Sequence, residues 1–210
     1  MKVVYPYTKT KDDGLELKFS IRSMVKHFKD MTGCVVVGDL PTWYASEHIP
    51  CEDIPKRREQ SVYEKIKKVE GIILYSNDDY FAFKDFDSSL PNYYHGICRD
   101  KARRMIDKTY KELFRKCNPE WLSFEIHCPM VIDTRLLDFE DCLLKTTYAN
   151  LLKLPGTISE DVKLRHNPSY GYVKEIIKGQ SFFSTHDNGS HPGILKILKE
   201  LYPEKSKFEV

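Results

Sequence analysis

Hydrophobic residues in the first 75 positions alternate between short continuous runs and segments with helical spacing. Val3 to Tyr5, Cys34 to Val37 and Gly71 to Tyr75 are short apolar runs, as is typical of strands buried on both faces of a parallel sheet. Between them, the spacing of apolar residues favours helices over Leu15 to Phe28 and Ser61 to Val69. The order strand, helix, strand, helix, strand predicts an α/β fold with an open, mainly parallel sheet flanked by helices.

The second half of the chain has a less regular pattern. Asp100 to Lys116 is strongly charged, with apolar residues at i, i+3 and i+4, which predicts an amphipathic helix. A short strand over Trp121 to Ile126 and helices near Leu136 to Leu144 and over Gly193 to Leu201 are also expected. Glycines and prolines across 156–179 indicate an irregular stretch.

The composition is that of a soluble globular protein, with 41% hydrophobic and 30% charged residues among 210. No apolar stretch approaches the roughly 18 residues of a membrane span, and the first seven residues carry no signal-peptide pattern, so we expect a cytoplasmic protein. A net charge of +2 gives no global basic field for non-specific nucleic-acid binding. The six cysteines include no C-x-x-C pair, which argues against a zinc ribbon or a dense disulfide framework.

An acidic cluster follows the third predicted strand. Asn77, Asp78 and Asp79 stand at its carboxyl end, where open α/β sheets bind ligands. Neighbouring desolvated carboxylates repel each other, and a divalent cation relieves that repulsion; hard oxygen ligands suit Mg²⁺ or Mn²⁺. A polar turn in which Asn77 and Asp78 cap the next element explains the same residues.

Two further segments carry charges that suit a phosphorylated or sugar ligand. Asp39 follows the second predicted strand, where a carboxylate accepts hydrogen bonds from sugar hydroxyls; a simple strand-to-loop turn has the same sequence. Arg57 belongs to the basic run Lys56 to Arg58, which offers bidentate phosphate recognition or forms a solvated charged face.

His127 ends the apolar stretch that starts at Ser123. It suits a metal ligand or a base for a hydroxyl, and equally a structural hydrogen-bonding role. In the segment Ser181 to Asn188, polar residues follow two aromatic ones. In isolation this segment reads as a loop.

Six stretches of the chain resemble, in the same order, the motifs of one family. They are Glu16 to Ser23, Val37 to Trp43, Ile73 to Phe81, Glu125 to Pro129, Ser181 to Asn188 and Pro203 to Glu209. The family comprises phage and bacterial glycosyltransferase-like proteins related to the Stealth capsular polysaccharide phosphotransferases. The resemblance covers most of the chain, with two departures: Lys18 replaces the usual arginine of the first motif, and His186 stands where the family often has asparagine.

The resemblance implies a GT-A-like, nucleotide-diphospho-sugar fold over residues 1–210 as a single domain. Residues 1–85 would form the nucleotide-binding half and 86–210 the acceptor-side half. The implied metal ligands are Asp78 and Asp79. The implied catalytic residues are Asp79, His127 and Asp187. The implied substrate-binding residues are Arg22, Asp39, Arg57 and Asn77.

The sequence therefore predicts a glycosyltransferase dependent on Mn²⁺ or Mg²⁺, which moves a sugar from a nucleotide-sugar donor to an acceptor hydroxyl. His127 or Asp187 would accept the proton of that hydroxyl, and the sequence does not decide between them. Three alternatives stay open. They are a sugar-phosphate transferase acting on a polysaccharide, a phage glycosyltransferase acting on a modified DNA base in the host cytoplasm, and a non-catalytic sugar- or nucleotide-binding module.

Overall fold

The computed structural model describes residues 1–97, 109, 113, 121–160, 162–164, 167–186 and 191–210. Within these residues the strands are β1 (Lys2–Tyr7), β2 (Gly33–Gly38), β3 (Glu47–Ile49), β4 (Ile72–Tyr75), β5 (Tyr80–Ala82), β6 (Tyr93–Tyr94), β7 (Met130–Asp133), β8 (Thr157–Ile158), β9 (Lys163–Leu164) and β10 (Phe182–Thr185). The helices are α1 (Leu15–His27), α2 (Arg58–Lys67), α3 (Leu144–Leu151), α4 (Tyr170–Ile177) and α5 (Pro192–Leu201), with a 3-10 helix at Thr134–Leu136.

The main sheet has five strands in the order β3, β2, β1, β4, β7. β1 runs parallel to β2 and β4, β3 runs parallel to β2, and β7 is antiparallel to β4. This confirms the predicted mainly parallel sheet. Because β1, β2 and β4 share one direction, the loops that follow Tyr7, Gly38 and Tyr75 meet at one edge of the sheet.

Helices cover both faces of this sheet because the central strands are apolar on both sides. Successive side chains of a strand point to opposite faces. Val3 and Tyr5 of β1 accordingly pack in a cluster with Leu17 of α1, whereas Val4 packs in a second cluster with Ile66 of α2. All five side chains are fully buried. The continuous apolar runs of the sequence predict strands buried on both faces, and the structure confirms this burial.

A second sheet has three strands in the order β5, β10, β9. β10 is antiparallel to β5 and parallel to β9, so Ser184 pairs with both Tyr80 and Lys163. β5 follows β4 after the turn 76–79, and the second sheet therefore starts at the carboxyl edge of the first. This register brings Lys163 and the end of β10 to the turn that carries Asp78 and Asp79.

The strand predicted over Trp121 to Ile126 is wrong. The segment makes one isolated bridge at Leu122, and Ser123 exchanges backbone hydrogen bonds with His95 and Gly96; two further amides find side-chain acceptors. The amide of Leu122 donates to Asn150 (3.0 Å) and that of Phe124 to Thr146 (3.0 Å). Polar side chains of α3 thus replace a neighbouring strand as the source of acceptors.

The helix predicted near Leu136 to Leu144 is also wrong. Asp141 has φ +51°, a left-handed conformation that interrupts a helix, and α3 begins only at Leu144.

The sequence pattern missed β3 and β7, which lie at the two edges of the main sheet, and α4, which lies within the stretch expected to be irregular. The helix predicted over Asp100 to Lys116 lies outside the described residues apart from Thr109 and Leu113, both of which are buried.

No helix among the described residues is both long enough and apolar enough to span a bilayer.

The C-terminal residues dock against α1 through one ion pair. The guanidinium of Arg22 donates to both carboxylate oxygens of Glu209, Nε to Oε1 at 2.8 Å and Nη2 to Oε2 at 2.6 Å, and the Glu209 side chain is 1% exposed. Arg22 also donates to the carbonyl of Tyr202 (3.1 Å). Burial alone would raise the pKa of Glu209, but hydrogen bonds from Arg22 and Ser206 outweigh it and lower that pKa.

We expect Arg22→Met to lower the melting temperature substantially, because it leaves a buried carboxylate without its counter-ion. Breaking a buried pair costs about 3 kcal/mol, equivalent to roughly 6 to 12 °C for a protein of this size. Thermal denaturation measures the loss, and Lys11→Met, at an exposed lysine before α1, is the control for removal of one positive charge. Adding Glu209→Gln to Arg22→Met should recover part of the stability. An unchanged melting temperature together with weaker donor binding would instead assign Arg22 to the substrate.

Candidate functional site

The turn between β4 and β5 carries Asp78 and Asp79 and is fixed by the amide of Asn77. The Tyr75 hydroxyl donates to Asn77 Oδ1 (2.6 Å), and Asn77 Nδ2 donates to the Tyr80 hydroxyl (3.1 Å). Both side-chain functions of Asn77 are thus engaged by the two tyrosines that bracket the turn. The described contacts of Asn77 shape the turn, whereas the sequence suggested a substrate contact.

Two other elements hold the same turn. The hydroxyl of Ser20, on α1, donates to the carbonyl of Tyr80 (2.5 Å), and the amide of Thr185, at the end of β10, donates to the carbonyl of Asp79 (3.2 Å). The turn is therefore attached to the first helix and to the second sheet. Its carboxylates are presented from a backbone with little freedom to move.

Asp79 occupies an electrostatically unfavourable position. Burial raises the pKa of Asp79 well above its usual range, the neighbouring charge of Asp78 raises it further, and Glu16 adds to the effect. Lys163 lowers it, but its Nζ lies 3.8 Å from Asp79 Oδ2. That distance exceeds the 2.7 to 2.9 Å typical of a charge-assisted hydrogen bond. The Asp79 side chain retains 15% exposure, so solvent ions can reach it.

Lys163 also joins His127 to the acidic turn. Its Nζ lies 2.9 Å from His127 Nε2. A lysine ammonium has donors and no acceptor, so Nε2 of His127 accepts this hydrogen bond. The His127 ring in turn packs edge-on against Tyr80, with centroids 5.9 Å apart. The structure thus places His127 next to the acidic turn, with one ring nitrogen engaged by Lys163.

A buried lysine fixes the backbone on either side of His127. Lys145 of α3 is 2% exposed, and its Nζ donates to the carbonyls of both Ile126 and Cys128. The Cys128 amide donates to the Ile126 carbonyl (2.9 Å), so His127 stands at the tip of a tight turn. The sequence pattern does not predict these contacts of Lys145, because a single lysine in a helix usually lies at the surface.

Glu16 is the third carboxylate of the site, after Asp78 and Asp79. Sequence reasoning missed it. It lies in the first turn of α1 and accepts a hydrogen bond from the Thr185 hydroxyl. The end of β10 therefore contacts the acidic region through both its backbone and its side chain. Asp187, predicted to be catalytic, lies outside the described residues, and its exposed neighbour His186 is the last described residue after β10.

The remaining predicted substrate residues lie on other parts of the structure. Asp39 is exposed after β2 and accepts a hydrogen bond from the amide of Lys9 (2.6 Å), so it links the loops that follow β1 and β2. Arg57 precedes α2, pairs with Asp141 (2.9 Å) and is 49% exposed. Arg22 faces the C-terminal residues. None of these three makes a described contact with the acidic turn.

Another buried lysine, Lys65, lies at the carboxyl edge of the sheet near Asp39. Lys65 of α2 donates to the carbonyl of Tyr7 (2.8 Å) and to the Thr8 hydroxyl (3.0 Å), and it pairs with Asp53 (2.7 Å). Gly38 is required here, because a Cβ atom would lie 2.1 Å from the Tyr7 carbonyl oxygen and 2.9 Å from Lys65 Nζ. Lys65 therefore joins α2 to the loop that follows β1 and to the loop that carries Asp53.

The acidic turn fits a hard divalent cation with only two protein ligands. Among the described residues no group of three or more His, Cys, Asp or Glu side chains is arranged to hold a metal ion. Mg²⁺ and similar cations are, however, usually bound by one or two carboxylates, several waters and substrate phosphates. Asp78 and Asp79 supply carboxylates of that kind, and the raised pKa of Asp79 indicates a position that a cation would stabilise.

The fold is α/β, with a mainly parallel sheet flanked by helices, and it is similar to the fold of a GT-A glycosyltransferase. One of 93 matching chains of solved structures is the galactosyltransferase LgtC, determined in complex with donor and acceptor sugar analogs. The TM-score is 0.51 at 10% identity, and the match covers 99% of this chain and 97% of that chain. At that identity the likeness concerns the fold alone. No protein-family model matches the sequence, and no curated protein matches it, so the relation to Stealth proteins stays a prediction.

Glu59 is a second carboxylate whose pKa is raised. Burial raises the pKa of Glu59, in the first turn of α2, to about 7, and the charge of Glu125 contributes while Arg58 opposes it. A folded-state pKa above the unfolded value means that the folded state holds the proton more tightly. The free energy of unfolding therefore falls as pH rises from about 4.5 to 7.

We expect Glu59→Gln to raise the melting temperature at pH 8 by about 3 °C or more, because it removes a partly buried charge near Glu125. The gain should shrink towards zero at pH 4.5, where Glu59 is protonated in both states. Thermal denaturation at pH 4.5, 6 and 8 measures the trend. Glu64→Gln on the same helix is the control. A gain independent of pH would contradict the electrostatic explanation.

Proposed function

We propose that this chain is a metal-dependent glycosyltransferase that moves a sugar from a nucleotide-diphosphate sugar to an acceptor hydroxyl. The observation that carries the proposal is the pair Asp78 and Asp79 at the carboxyl end of β4. In open α/β sheets this edge binds the ligand. The GT-A-like fold and the adjacent Lys163 and His127 support the same interpretation.

Asp78 and Asp79 would hold Mg²⁺ or Mn²⁺. Bound there, the cation would offset negative charge that develops on the diphosphate leaving group. The protein contributes a fixed turn, so its carboxylates need no rearrangement when the donor arrives. Positioning and charge stabilisation are the main sources of rate in reactions of this kind.

The proton of the acceptor hydroxyl requires an acceptor group close to the acidic turn. His127 would accept it through Nε2 only after the hydrogen bond from Lys163 is released. Glu16, near Asp79, is a carboxylate that the sequence did not suggest. Asp187 follows β10 directly in the sequence and retains its proposed role as a base.

Transfer of a sugar phosphate is the second candidate, favoured by the motifs shared with Stealth proteins. Attack would then fall on the β-phosphorus, with the same requirement for charge neutralisation. The product separates the two reactions, since its mass differs by one phosphate. The DNA-base alternative would appear as transfer to a hydroxylated base in an acceptor panel.

A thermal-shift screen of nucleotide sugars, each with and without Mn²⁺, tests the donor class. A ligand that binds the folded state raises its melting temperature, by an amount set by concentration and affinity. We expect at least one nucleotide sugar to stabilise the protein only when Mn²⁺ is present. If neither Mn²⁺ nor any nucleotide sugar shifts the melting curve, the proposal is wrong.

We expect Asp79→Asn to have opposite effects on stability and activity. Removing a buried charge next to Asp78 should raise the melting temperature at pH 8 by about 2 to 4 °C, equivalent to about 1 kcal/mol. Loss of a metal ligand should lower donor hydrolysis or transfer about a hundredfold or more.

The control for this pair of effects is Asp138→Asn, at an exposed carboxylate, which should change neither quantity. Binding of donor and Mn²⁺ by the wild-type protein without any turnover would favour the non-catalytic module. Full activity of Asp79→Asn would remove Asp79 from the mechanism.

A further inference from the structure

Lys163 differs from the two buried lysines, Lys65 and Lys145, in how its charge is satisfied. Lys65 and Lys145 donate to carbonyl oxygens within the protein interior. Lys163 instead contacts His127 Nε2 at 2.9 Å and stands 3.8 Å from Asp79, with 17% of its side chain exposed. It is a cation held next to an acidic turn without a close hydrogen bond to either aspartate among the contacts described.

We propose that Lys163 is an internal counter-ion that neutralises Asp79 in the donor-free protein and turns to the donor diphosphate when a divalent cation binds Asp79. The inference rests on the proposed function, because it requires a metal and a diphosphate at this site. It adds a residue that neither the sequence motifs nor the comparison with LgtC identifies.

Competition between two cations is the physical basis of the exchange. An ammonium 3.8 Å from a carboxylate oxygen lies close to where a bound divalent ion would sit, and like charges at such distances repel strongly in a partly buried site. Lysine has a flexible four-carbon stem and a compact charge. Its Nζ can therefore leave Asp79 by rotation of this stem, while the pairing of Lys163 with Ser184 keeps its backbone near the turn.

Ser184 provides a second sign that a ligand oxygen belongs on this side of the sheet. Ser184 pairs with Lys163 on one side and with Tyr80 on the other, and side chains of paired residues lie on the same face. Its hydroxyl is buried and has no hydrogen-bond partner among the described residues. A buried hydroxyl without a partner is unfavourable, and a phosphate oxygen bound at Lys163 would supply an acceptor.

The test uses Lys163→Met, which keeps most of the unbranched stem of the side chain and removes its charge. Affinity for Mn²⁺ alone, measured by electron paramagnetic resonance, should increase about two- to fivefold, because the competing cation is gone. Affinity for a nucleoside diphosphate at saturating Mn²⁺, measured by calorimetry with ADP, CDP, GDP, UDP and dTDP, should fall about tenfold for the best binder. A lysine with a purely structural role would weaken both.

Two variants serve as controls. Lys163→Arg keeps the charge and should leave Mn²⁺ affinity near the wild-type value. Lys178→Met makes the same change in net charge at an exposed position after α4, and it should alter neither affinity. Circular dichroism and melting temperature establish that each variant is folded.

The outcomes separate this inference from the proposed function. If the wild-type protein binds Mn²⁺ and a nucleoside diphosphate, but Lys163→Met binds Mn²⁺ no more tightly, the counter-ion role is overturned and the transferase proposal survives. An unchanged nucleotide affinity would likewise overturn the diphosphate contact. If the wild-type protein binds neither probe, the proposed function fails, and the role of Lys163 fails with it.

Discussion

The hydrogen bonds that fix the turn between β4 and β5 are the constraint on which the site depends. The amide of Asn77 links Tyr75 to Tyr80, and Ser20 and Thr185 hold the backbone of the same turn from α1 and β10. The backbone that carries Asp78 and Asp79 is consequently fixed, so a shift of the turn cannot relieve the repulsion between their carboxylates. An unfavourable charge arrangement that buried hydrogen bonds maintain lowers stability, and arrangements of this kind are common at binding and catalytic sites of natural proteins.

The site also depends on two sheets meeting at one edge. The parallel strands bring their carboxyl ends together, and the register of β10 with β5 and β9 then places Lys163 beside the acidic turn. His127 lies on a separate turn, and Lys145 donates hydrogen bonds to the carbonyls on either side of it. The functional groups thus come from segments far apart in the chain, and each is held by packing or hydrogen bonds that do not involve a ligand.

The sequence predicted the main sheet and its acidic turn because both leave local signatures. Continuous β-branched runs between helical segments indicate strands buried on two faces, and carboxylates directly after such a run stand at the ligand-binding edge. Lys163 leaves no such signature, since it lies in a two-residue strand within a stretch rich in turn residues. Its contact with His127 spans 36 residues, and that of Arg22 with Glu209 spans 187. Pairings of this kind are decided by tertiary packing, which hydrophobic periodicity does not encode.

The chain itself offers a comparison that sets the contact between Lys163 and Asp79 apart from its close ion pairs. Burial also raises the pKa values of Asp53 and Glu209. Hydrogen bonds from Lys65 and Thr8 to Asp53 outweigh this effect, as do those from Arg22 and Ser206 to Glu209. The pKa values of both carboxylates are therefore lowered. Asp79 has Lys163 nearby at 3.8 Å, and its pKa is raised instead. The same chain therefore builds close ion pairs where a carboxylate is structural. At Asp79 it leaves the charge partly compensated, which is the condition under which a divalent ion and a diphosphate would bind with the greatest gain.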